Sequence, residues 1–324
     1  MDLVKKIIEK AKSLNKKVVF PEGYESRTIE AASRLASENI VEPILLGNKE
    51  NISKSAETAG IDLNKVFIID PRKYNRINDF ADEFYEIRKH KGITREQALE
   101  TVKDPLYFGG MMLRNGLCHG SVAGAENATG NVLRAAIQTV GLAEGISVVS
   151  SFFIMILPDG RLFSFADCAV VPDPDPEQLA SIAISTAKNH KKLVGEEPIV
   201  AMLSFSTKGS AQHENVDKVL EALKMVKDKA PDLIIDGELQ LDAAIMPAVG
   251  NKKAPGSPAA GKANVLIFPE LNSANIGYKL TERLGNAEAI GPVIQGLAKP
   301  AFDLSRGCKV DDIVNVASIA AIMS

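Results

Sequence analysis

Residues 17–22 read Lys17-Val18-Val19-Phe20-Pro21-Glu22, and this short apolar run is typical of a buried strand. A helical pattern over Leu3–Leu14 precedes it, and a second one opens at Arg27 and continues to about Ser37. The next apolar run, Pro43–Leu46, is again a strand signal. Because strands alternate with helices, the sequence predicts a mostly parallel sheet covered by helices on both faces.

The same alternation extends through the rest of the chain. Further strands are predicted at Val66–Ile69, Leu117–Val122, Val148–Leu157, Leu162–Ala166, Val200–Leu203, Leu233–Ile235 and Val265–Phe268. We therefore expect an α/β protein, a two-lobed three-layer α/β sandwich with a cleft between the lobes. The predicted first domain comprises residues 1–143 and 292–324, and the predicted second domain comprises residues 144–291.

Composition excludes several classes of protein. The 324 residues carry a formal net charge of -3, and aromatic residues make up only 5% with no tryptophan. Proteins that bind nucleic acids need a basic surface or an aromatic platform, so we expect no nucleic-acid partner. The segment Met1–Lys10 lacks the apolar core of a signal peptide, and the apolar run Ile146–Leu157 is too short to cross a bilayer. These features predict a cytoplasmic protein with no membrane partner.

Neither the cysteines nor the glycine-rich segments indicate a metal or nucleotide site. Cys118, Cys168 and Cys308 are far apart, and no spacing among them suits a disulfide framework or zinc. The segment Gly256–Ala263 nearly matches a P-loop, but its last residue is not Ser or Thr, and it precedes a strand instead of opening a helix. We therefore expect no metal site.

The stretch Asp303-Leu304-Ser305-Arg306-Gly307-Cys308 concentrates groups that bind anions. Arg306 offers a planar cationic fork that suits phosphate, and Ser305 can donate a hydrogen bond. Asp311 and Asp312 follow, near the N-terminus of the predicted helix Ile313–Ile322. Taken alone, the same residues also fit a surface turn and two acids that complement a helix dipole.

Three other segments are expected to approach a ligand because each follows a predicted strand. Ligands of open α/β sheets bind beyond the carboxyl ends of the strands. Pro21-Glu22, Gly124–Asn131 and Ser204–Gly209 all fall at such ends.

A set of segments occurring in one order resembles the phosphate acetyltransferase (phosphotransacetylase) family along essentially the whole chain. The segments are Pro21-Glu22, Phe84–Gly92, Ser204–Ala211, Asp236–Gln240, Lys253–Pro258, Asn264–Pro269, Gln295–Pro300 and Asp303–Cys308. The resemblance implies an isocitrate-dehydrogenase-like fold with the active-site cleft between the lobes, and a homodimer whose interface we assign to the second domain. It implies the reaction acetyl-CoA + phosphate ⇌ acetyl phosphate + CoA, with coenzyme A as co-substrate and no permanently bound cofactor.

The resemblance also implies roles for particular residues, most of them in the first domain. Asp312 matches the family's catalytic aspartate, which activates the thiol, and Arg306 and Ser305 match the catalytic arginine and its neighbouring serine. The resemblance also places five residues near the substrate, which is phosphate, acyl phosphate or CoA. These are Arg88, Arg134, Thr129, Arg27 and Cys308.

One loop departs from the family pattern. The family has a Gly-Ala-x-His-Ser-Thr-x-Asp-Thr run before Arg134, whereas residues 124–132 read Gly-Ala-Glu-Asn-Ala-Thr-Gly-Asn-Val, so that only Thr129 keeps the hydroxyl. Since this loop is expected to line the acyl-phosphate pocket, a phosphate butyryl- or propionyltransferase is the alternative.

The residues indicate direct transfer, in which the CoA thiolate attacks the acyl carbon in a ternary complex. Asp312 must accept a proton from a thiol, and we expect nearby arginines to lower the thiol pKa. A covalent intermediate on Cys308 is the other route. Two further hypotheses are a metal-dependent hydroxyacid dehydrogenase of the same fold and a CoA- or acyl-phosphate-binding protein without activity; retained Asp312 and Ser305 argue against the second.

Overall fold

The computed structural model describes residues 3–324, so Met1 and Asp2 of the predicted N-terminal helical segment lie outside the described residues. The chain divides into two compact units. The first unit runs up to Gly141 and resumes over Leu297–Ser324, and the second unit is Leu142–Gly296. The boundaries predicted from sequence, after residues 143 and 291, therefore differ from these by two and five residues.

Both units contain strands that are mostly buried along their length. In chain order the strands are β1 (Lys17–Phe20), β2 (Glu42–Leu46), β3 (Phe67–Ile69), β4 (Gly120–Ala123), β5 (Ser150–Ile156), β6 (Leu162–Ala166), β7 (Ile199–Leu203), β8 (Ile234–Leu239), β9 (Val265–Ile267), β10 (Glu288–Gln295) and β11 (Ala301–Asp303).

Helices connect most of these strands, as the alternation predicted. They are α1 (Leu3–Leu14), α2 (Ser26–Ser37), α3 (Lys49–Ala59), α4 (Ile77–Arg88), α5 (Arg95–Val102), α6 (Pro105–Arg114), α7 (Thr129–Thr139), α8 (Pro176–Val194), α9 (Glu214–Lys229), α10 (Leu241–Ile245), α11 (Pro247–Lys253), α12 (Leu271–Arg283) and α13 (Val310–Met323), with short 3-10 helices at Pro71–Lys73 and Lys89–Lys91. Within residues 3–324 no helix is both long and apolar enough to cross a lipid bilayer.

The first unit is a parallel five-stranded sheet between two layers of helices. Its strand order is β11-β4-β1-β2-β3, and every neighbouring pair is parallel. Helices α1, α2 and α13 cover one face, while α6 and α7 pack on the other. Gly120 on β4 lets α13 come close, because a Cβ there would lie 2.8 Å from the Cβ of Ala320.

The second unit is a mixed six-stranded sheet in the order β10-β5-β6-β9-β7-β8. The β10–β5 and β5–β6 pairs are antiparallel, and the remaining pairs are parallel. Helices α8 and α9 pack against this sheet, and so do α10 and α12. The α/β class predicted from the alternation is confirmed. The helix Leu3–Leu14 and the strands Lys17–Phe20 and Leu162–Ala166 have the predicted bounds.

Several strands differ from the prediction. Strand β10 was not predicted, and it carries Gly291-Pro292 inside it with a register shift between Ile290 and Val293. Glycine and proline usually punctuate strands, but an edge strand with a bulge tolerates both. Strand β8 also continues through Asp236-Gly237-Glu238, which the sequence placed after its end. Strand β4 begins three residues later than predicted, at Gly120.

Candidate active site

The candidate site lies at one edge of the first sheet. Glu22 follows β1, the loop 124–127 follows β4, and the turn Leu304–Cys308 follows β11. Since β11, β4 and β1 are parallel neighbours, their carboxyl ends meet at the same edge. Segments that are about 100 and 280 residues apart in sequence are therefore joined by hydrogen bonds here.

The buried carboxylate of Glu22 fixes the loop after β4. Its Oε2 accepts the backbone N–H groups of Gly124 and Ala125 at 2.9 and 2.8 Å. Its Oε1 accepts those of Glu126 and Asn127 at 3.2 and 2.7 Å, and the Asn127 amide at 2.8 Å. Glu22 is only 2% exposed, so these donors take the place of water. The sequence indicated Glu22 only as a residue at a strand end and gave it no role.

Arg27 connects this loop to the turn after β11. Its Nη1 donates to the carbonyl oxygens of Arg306 and Cys308 at 2.9 and 2.7 Å, and its Nη2 donates to that of Ala125 at 2.9 Å. Its Nε donates to Glu25 at 2.8 Å. These bonds occupy most of the guanidinium N–H groups, so the contacts of Arg27 are chiefly structural. Its predicted part in binding the substrate stays a prediction.

The turn 305–308 presents Arg306 to solvent with its charge uncommitted. The Ser305 hydroxyl accepts the Gly307 N–H at 3.2 Å, and the Ser305 carbonyl accepts the Cys308 N–H at 2.9 Å, which closes the turn. Arg306 is exposed, and within residues 3–324 its guanidinium makes no hydrogen bond or ion pair. A turn that is closed by hydrogen bonds and carries a free planar cation is suited to an incoming phosphate.

Asp312 lies in the first turn of α13, as predicted from sequence. Its Oδ2 accepts the backbone N–H of Lys309 at 2.8 Å, and the side chain is exposed. The neighbouring Asp311 has a different partner, because its Oδ1 accepts a hydrogen bond from Arg34 of α2. Asp312 is therefore held in place through one oxygen, which leaves the other oxygen available to a substrate.

Cys308 lies beside these groups but is poorly suited to be a nucleophile. Its side chain is buried, and its Sγ is 3.8 Å from Nη1 of Arg27. Burial raises the pKa of the Cys308 thiol, and Arg27 only partly opposes this effect. A thiol that resists ionisation attacks a carbonyl slowly.

Two further predicted arginines lie on helices that contact α6: Arg88 ends α4, and Arg134 is on α7. Burial raises the pKa of Tyr107 on α6, and the positive charges of Arg134 and Arg88 oppose this shift. Arg134 also approaches the Asn131 side chain at 3.4 Å. No hydrogen bond or ion pair within the described residues joins these arginines to Arg306. Arg134 is connected to the edge of the first sheet through its own helix, because α7 carries Arg134 and begins at Thr129.

Thr129 contacts a carboxyl group that the sequence named only as the first residue of a motif. Its Oγ1 is 2.6 Å from Oδ2 of Asp303, the last residue of β11. Asp303 is 4% exposed, and its Oδ1 has no hydrogen-bond partner within residues 3–324. Sequence reasoning assigned no role to Asp303, Glu22 or Tyr107, because their surroundings come from distant segments of the chain.

A cavity away from these residues lies within the second unit. This cavity of about 740 Å³ is lined at the ends of β7 and β9 by Ser204, Phe205, Phe268 and Pro269, and also by Lys218 and Asp173, which form an ion pair at 2.7 Å. Ser204 belongs to one of the segments predicted to approach a ligand, but none of the predicted catalytic or substrate-binding residues lines this cavity. Within residues 3–324 no group of three or more His, Cys, Asp and Glu residues is arranged to hold a metal ion.

The match to a protein family extends far beyond the site. The sequence model of a family described as phosphate acetyl/butaryl transferase matches residues 2–321. The chain belongs to this family. The family resemblance inferred from the ordered motifs is thereby confirmed.

Curated members of the phosphate acetyl/butyryl transferase family are similar over the full length. The phosphate acetyltransferase of Thermoanaerobacterium thermosaccharolyticum is 54% identical to this chain, and the alignment covers all of both proteins. That of Acetivibrio thermocellus is 50% identical and covers all of this chain and 98% of its own. The crystal structure of a phosphotransacetylase from Streptococcus pyogenes superposes with a TM-score of 0.95 at 43% identity, and covers 99% of this chain and 97% of its own.

Proposed function

We propose that this protein is a phosphate acetyltransferase, which interconverts acetyl-CoA plus phosphate with acetyl phosphate plus CoA. Full-length relatives that are 44–54% identical carry that name, and this favours acetyl over butyryl or propionyl transfer. The single structural observation that supports the site is the uncommitted Arg306 guanidinium on a turn that also carries Ser305 and precedes Asp312.

Arg306 is proposed to hold the phosphate group. Its guanidinium can donate two parallel hydrogen bonds to phosphate oxygens, and it stays charged at any physiological pH. Ser305 stands next to it with its hydroxyl exposed, and can donate to the carbonyl oxygen of the acyl group as negative charge develops there. Arg88 and Arg134 are proposed as further ligands of the anionic substrates.

Asp312 is proposed as the base for the CoA thiol. A free thiol has a pKa of about 8.5 and a free aspartate about 3.9, so the proton transfer needs help from the site. The cationic Arg306 supplies it by stabilising the thiolate. The thiolate sulfur then bonds to the acyl carbon of acetyl phosphate, the carbon–oxygen bond to phosphate breaks, and phosphate leaves. Because Cys308 is buried with a raised thiol pKa, transfer directly between the two substrates is favoured over an acetylated enzyme.

The remaining properties follow from the same proposal. Coenzyme A is a co-substrate, no cofactor is permanently bound, and the chemistry written above uses no metal. A cytoplasmic location and a homodimer formed through the second unit stay predictions of the sequence.

Turnover with a matched pair of variants tests the function and its base. Phosphate-dependent release of CoA from acetyl-CoA, propionyl-CoA and butyryl-CoA is measured in metal-free buffer for the wild type, Asp312→Asn and Asp311→Asn. We expect acetyl-CoA to be preferred, and Asp312→Asn to lower kcat by about 10²–10⁴-fold, the usual contribution of a positioned base.

The control variant Asp311→Asn changes the adjacent carboxylate, which bonds to Arg34 instead of facing the turn, and we expect it to keep kcat within a few-fold. Equal losses of kcat in both variants would mean that turnover depends on the negative charge at the α13 N-terminus and not on a base at Asp312. Preference for butyryl-CoA would assign the alternative activity, and absence of any turnover would refute the acyltransferase proposal.

A further inference from the structure

Two buried carboxyl groups lie on either side of Gly124 at the edge of the first sheet. Glu22 Oε2 accepts the Gly124 N–H at 2.9 Å. Asp303 Oδ1 lies against the other side, since a Cβ on Gly124 would be 2.4 Å from it. Gly124 also has a φ of +105°, which disfavours any other residue. The two carboxyl groups therefore have fixed positions around one glycine.

The two carboxyl groups differ in how well their hydrogen bonds satisfy the ionised form. Glu22 accepts five hydrogen bonds from N–H groups, which an ionised carboxylate satisfies best because all its lone pairs accept. Asp303 has one partner, Thr129, and one buried oxygen without a partner in the described chain. A buried oxygen that lacks a donor penalises the ionised form. The ionised form of Asp303 is therefore poorly stabilised by hydrogen bonds.

The surroundings of Asp303 also disfavour its ionised form. Burial raises its pKa to about 6 against the opposing hydrogen bond from Thr129, and the charge of Glu22 raises it further. Strand β4 and helices α7 and α13 also pack against β11, yet among residues 3–324 Glu22 is the charged group that acts on Asp303.

The protonation state of Asp303 determines what Thr129 can do. When Asp303 is ionised, the Thr129 hydroxyl donates its only proton to Oδ2 across the 2.6 Å contact. When Asp303 carries a proton, it donates to Thr129 Oγ1, and the hydroxyl proton becomes available to another acceptor. Thr129 is the first residue of α7, and the preceding Ala128 provides no side-chain cap.

We propose that Asp303 is a positioning residue that sets the direction of the Thr129 hydroxyl proton, so that the site holds phosphate more tightly when Asp303 is protonated. This inference rests on the proposed function, because it takes Thr129 as a ligand of the phosphate group. Phosphate binding would then be accompanied by uptake of a fraction of a proton from solvent onto Asp303, largest at a pH just above its pKa of about 6.

The variant Asp303→Asn imitates the protonated state. Its amide has two orientations, and the one with the carbonyl oxygen in the partnerless Oδ1 position places the nitrogen at the Oδ2 position, beside Thr129. In that orientation the Asn nitrogen donates to Thr129 Oγ1 and turns the hydroxyl proton outward. The inhibition constant of inorganic phosphate, competing with acetyl phosphate in the CoA-acetylating direction, is measured for wild type and variant between about pH 5 and 8. The ratio of the two constants at each pH cancels the titration of phosphate itself.

We expect the variant to bind phosphate about tenfold more tightly than the wild type at pH 8, the usual effect of one hydrogen bond to an anion, and the ratio to approach one at about pH 5. A ratio that does not change with pH would overturn the proposal. The same comparison in a Thr129→Val background separates the hydroxyl from simple charge repulsion. There we expect Asp303→Asn to change the constant less than twofold, and a persisting tenfold effect would contradict the role of Thr129.

Thermal unfolding of each variant shows whether it is folded, and kcat at saturating substrates shows whether the catalytic turn is intact. If Thr129→Val alone leaves phosphate binding unchanged while turnover is normal, the inference fails and the proposed function stands. If the wild type shows no turnover, the proposed function fails and this inference fails with it.

Discussion

At the scale of single residues, Glu22 shows how one buried carboxylate holds the loop after β4 in place. Its replacement by Gln tests this, because the amide has only one acceptor oxygen and would direct its own N–H groups at backbone N–H donors of the loop. We expect Glu22→Gln to lower kcat/KM about a hundredfold and to destabilise the fold by roughly 1.5–3 kcal/mol, the usual cost of losing hydrogen bonds to a charged group.

The control for this prediction is Glu126→Gln, which changes an exposed carboxylate on the same loop. It should leave both kcat/KM and the unfolding midpoint close to wild type. If the two variants behaved alike, the loop would be held by contacts other than those of Glu22.

Also at this scale, His190 in the second unit makes stability depend on pH. Its Nδ1 is 2.8 Å from the Ser164 hydroxyl, its Nε2 has no hydrogen-bond partner within residues 3–324, and burial lowers its pKa from 6.5 to about 4. The folded state therefore disfavours the charged ring. The contribution of neutral His190 to the free energy of unfolding is complete above pH 6.5 and is lost as the pH falls toward 4. The difference corresponds to at most roughly 3 kcal/mol of unfolding free energy.

Denaturant unfolding at pH values between about 7 and 4 checks this prediction. In His190→Gln the slope of unfolding free energy against pH should be shallower across this interval, whereas His90→Gln, at an exposed position, should follow the wild type. Identical slopes in the three proteins would assign the acid sensitivity to carboxylates instead.

At the scale of elements, helix α12 carries an apolar face that its own unit leaves exposed. Ile276 and Leu280 of α12 and Leu284, the residue directly after it, recur at intervals of four residues and are 57%, 51% and 77% exposed. If the predicted dimer forms through the second unit, this face is a suitable contact between copies. We expect Leu280→Lys to shift the mass measured by light scattering from dimer toward monomer, since a buried lysine opposes association.

The matched control is Leu220→Lys on α9, where an isolated leucine is 40% exposed. A single exposed leucine of this kind needs no partner, so this variant should keep the wild-type mass. A wild type that is monomeric, or a dimer unaffected by Leu280→Lys, would remove α12 from the interface.

The elements also show what local sequence patterns can and cannot predict. Strand β1 was predicted because its residues are apolar and bounded by polar ones, and the acidic first turn of α13 follows from spacing alone. Strand β10 was missed because Gly291-Pro292 imitates a turn, and only pairing with β5 reveals it as an edge strand. In the site, Arg306 stood out by its residue type, whereas Asp303 and Glu22 became recognisable only once their partners, more than 100 residues away, were known.

At the scale of the whole molecule, the order of segments along the chain constrains how the site is assembled. The first sheet receives strands β1 to β4, the chain then builds the entire second unit, and only afterwards adds β11 beside β4 and α13 across the strands. During synthesis on the ribosome, the second unit can be complete while the surface that α13 covers is still open to solvent. Arg306 and Asp312 thus belong to the same segment that covers this apolar surface, so a nascent chain acquires the turn 305–308 only when its first sheet is also completed.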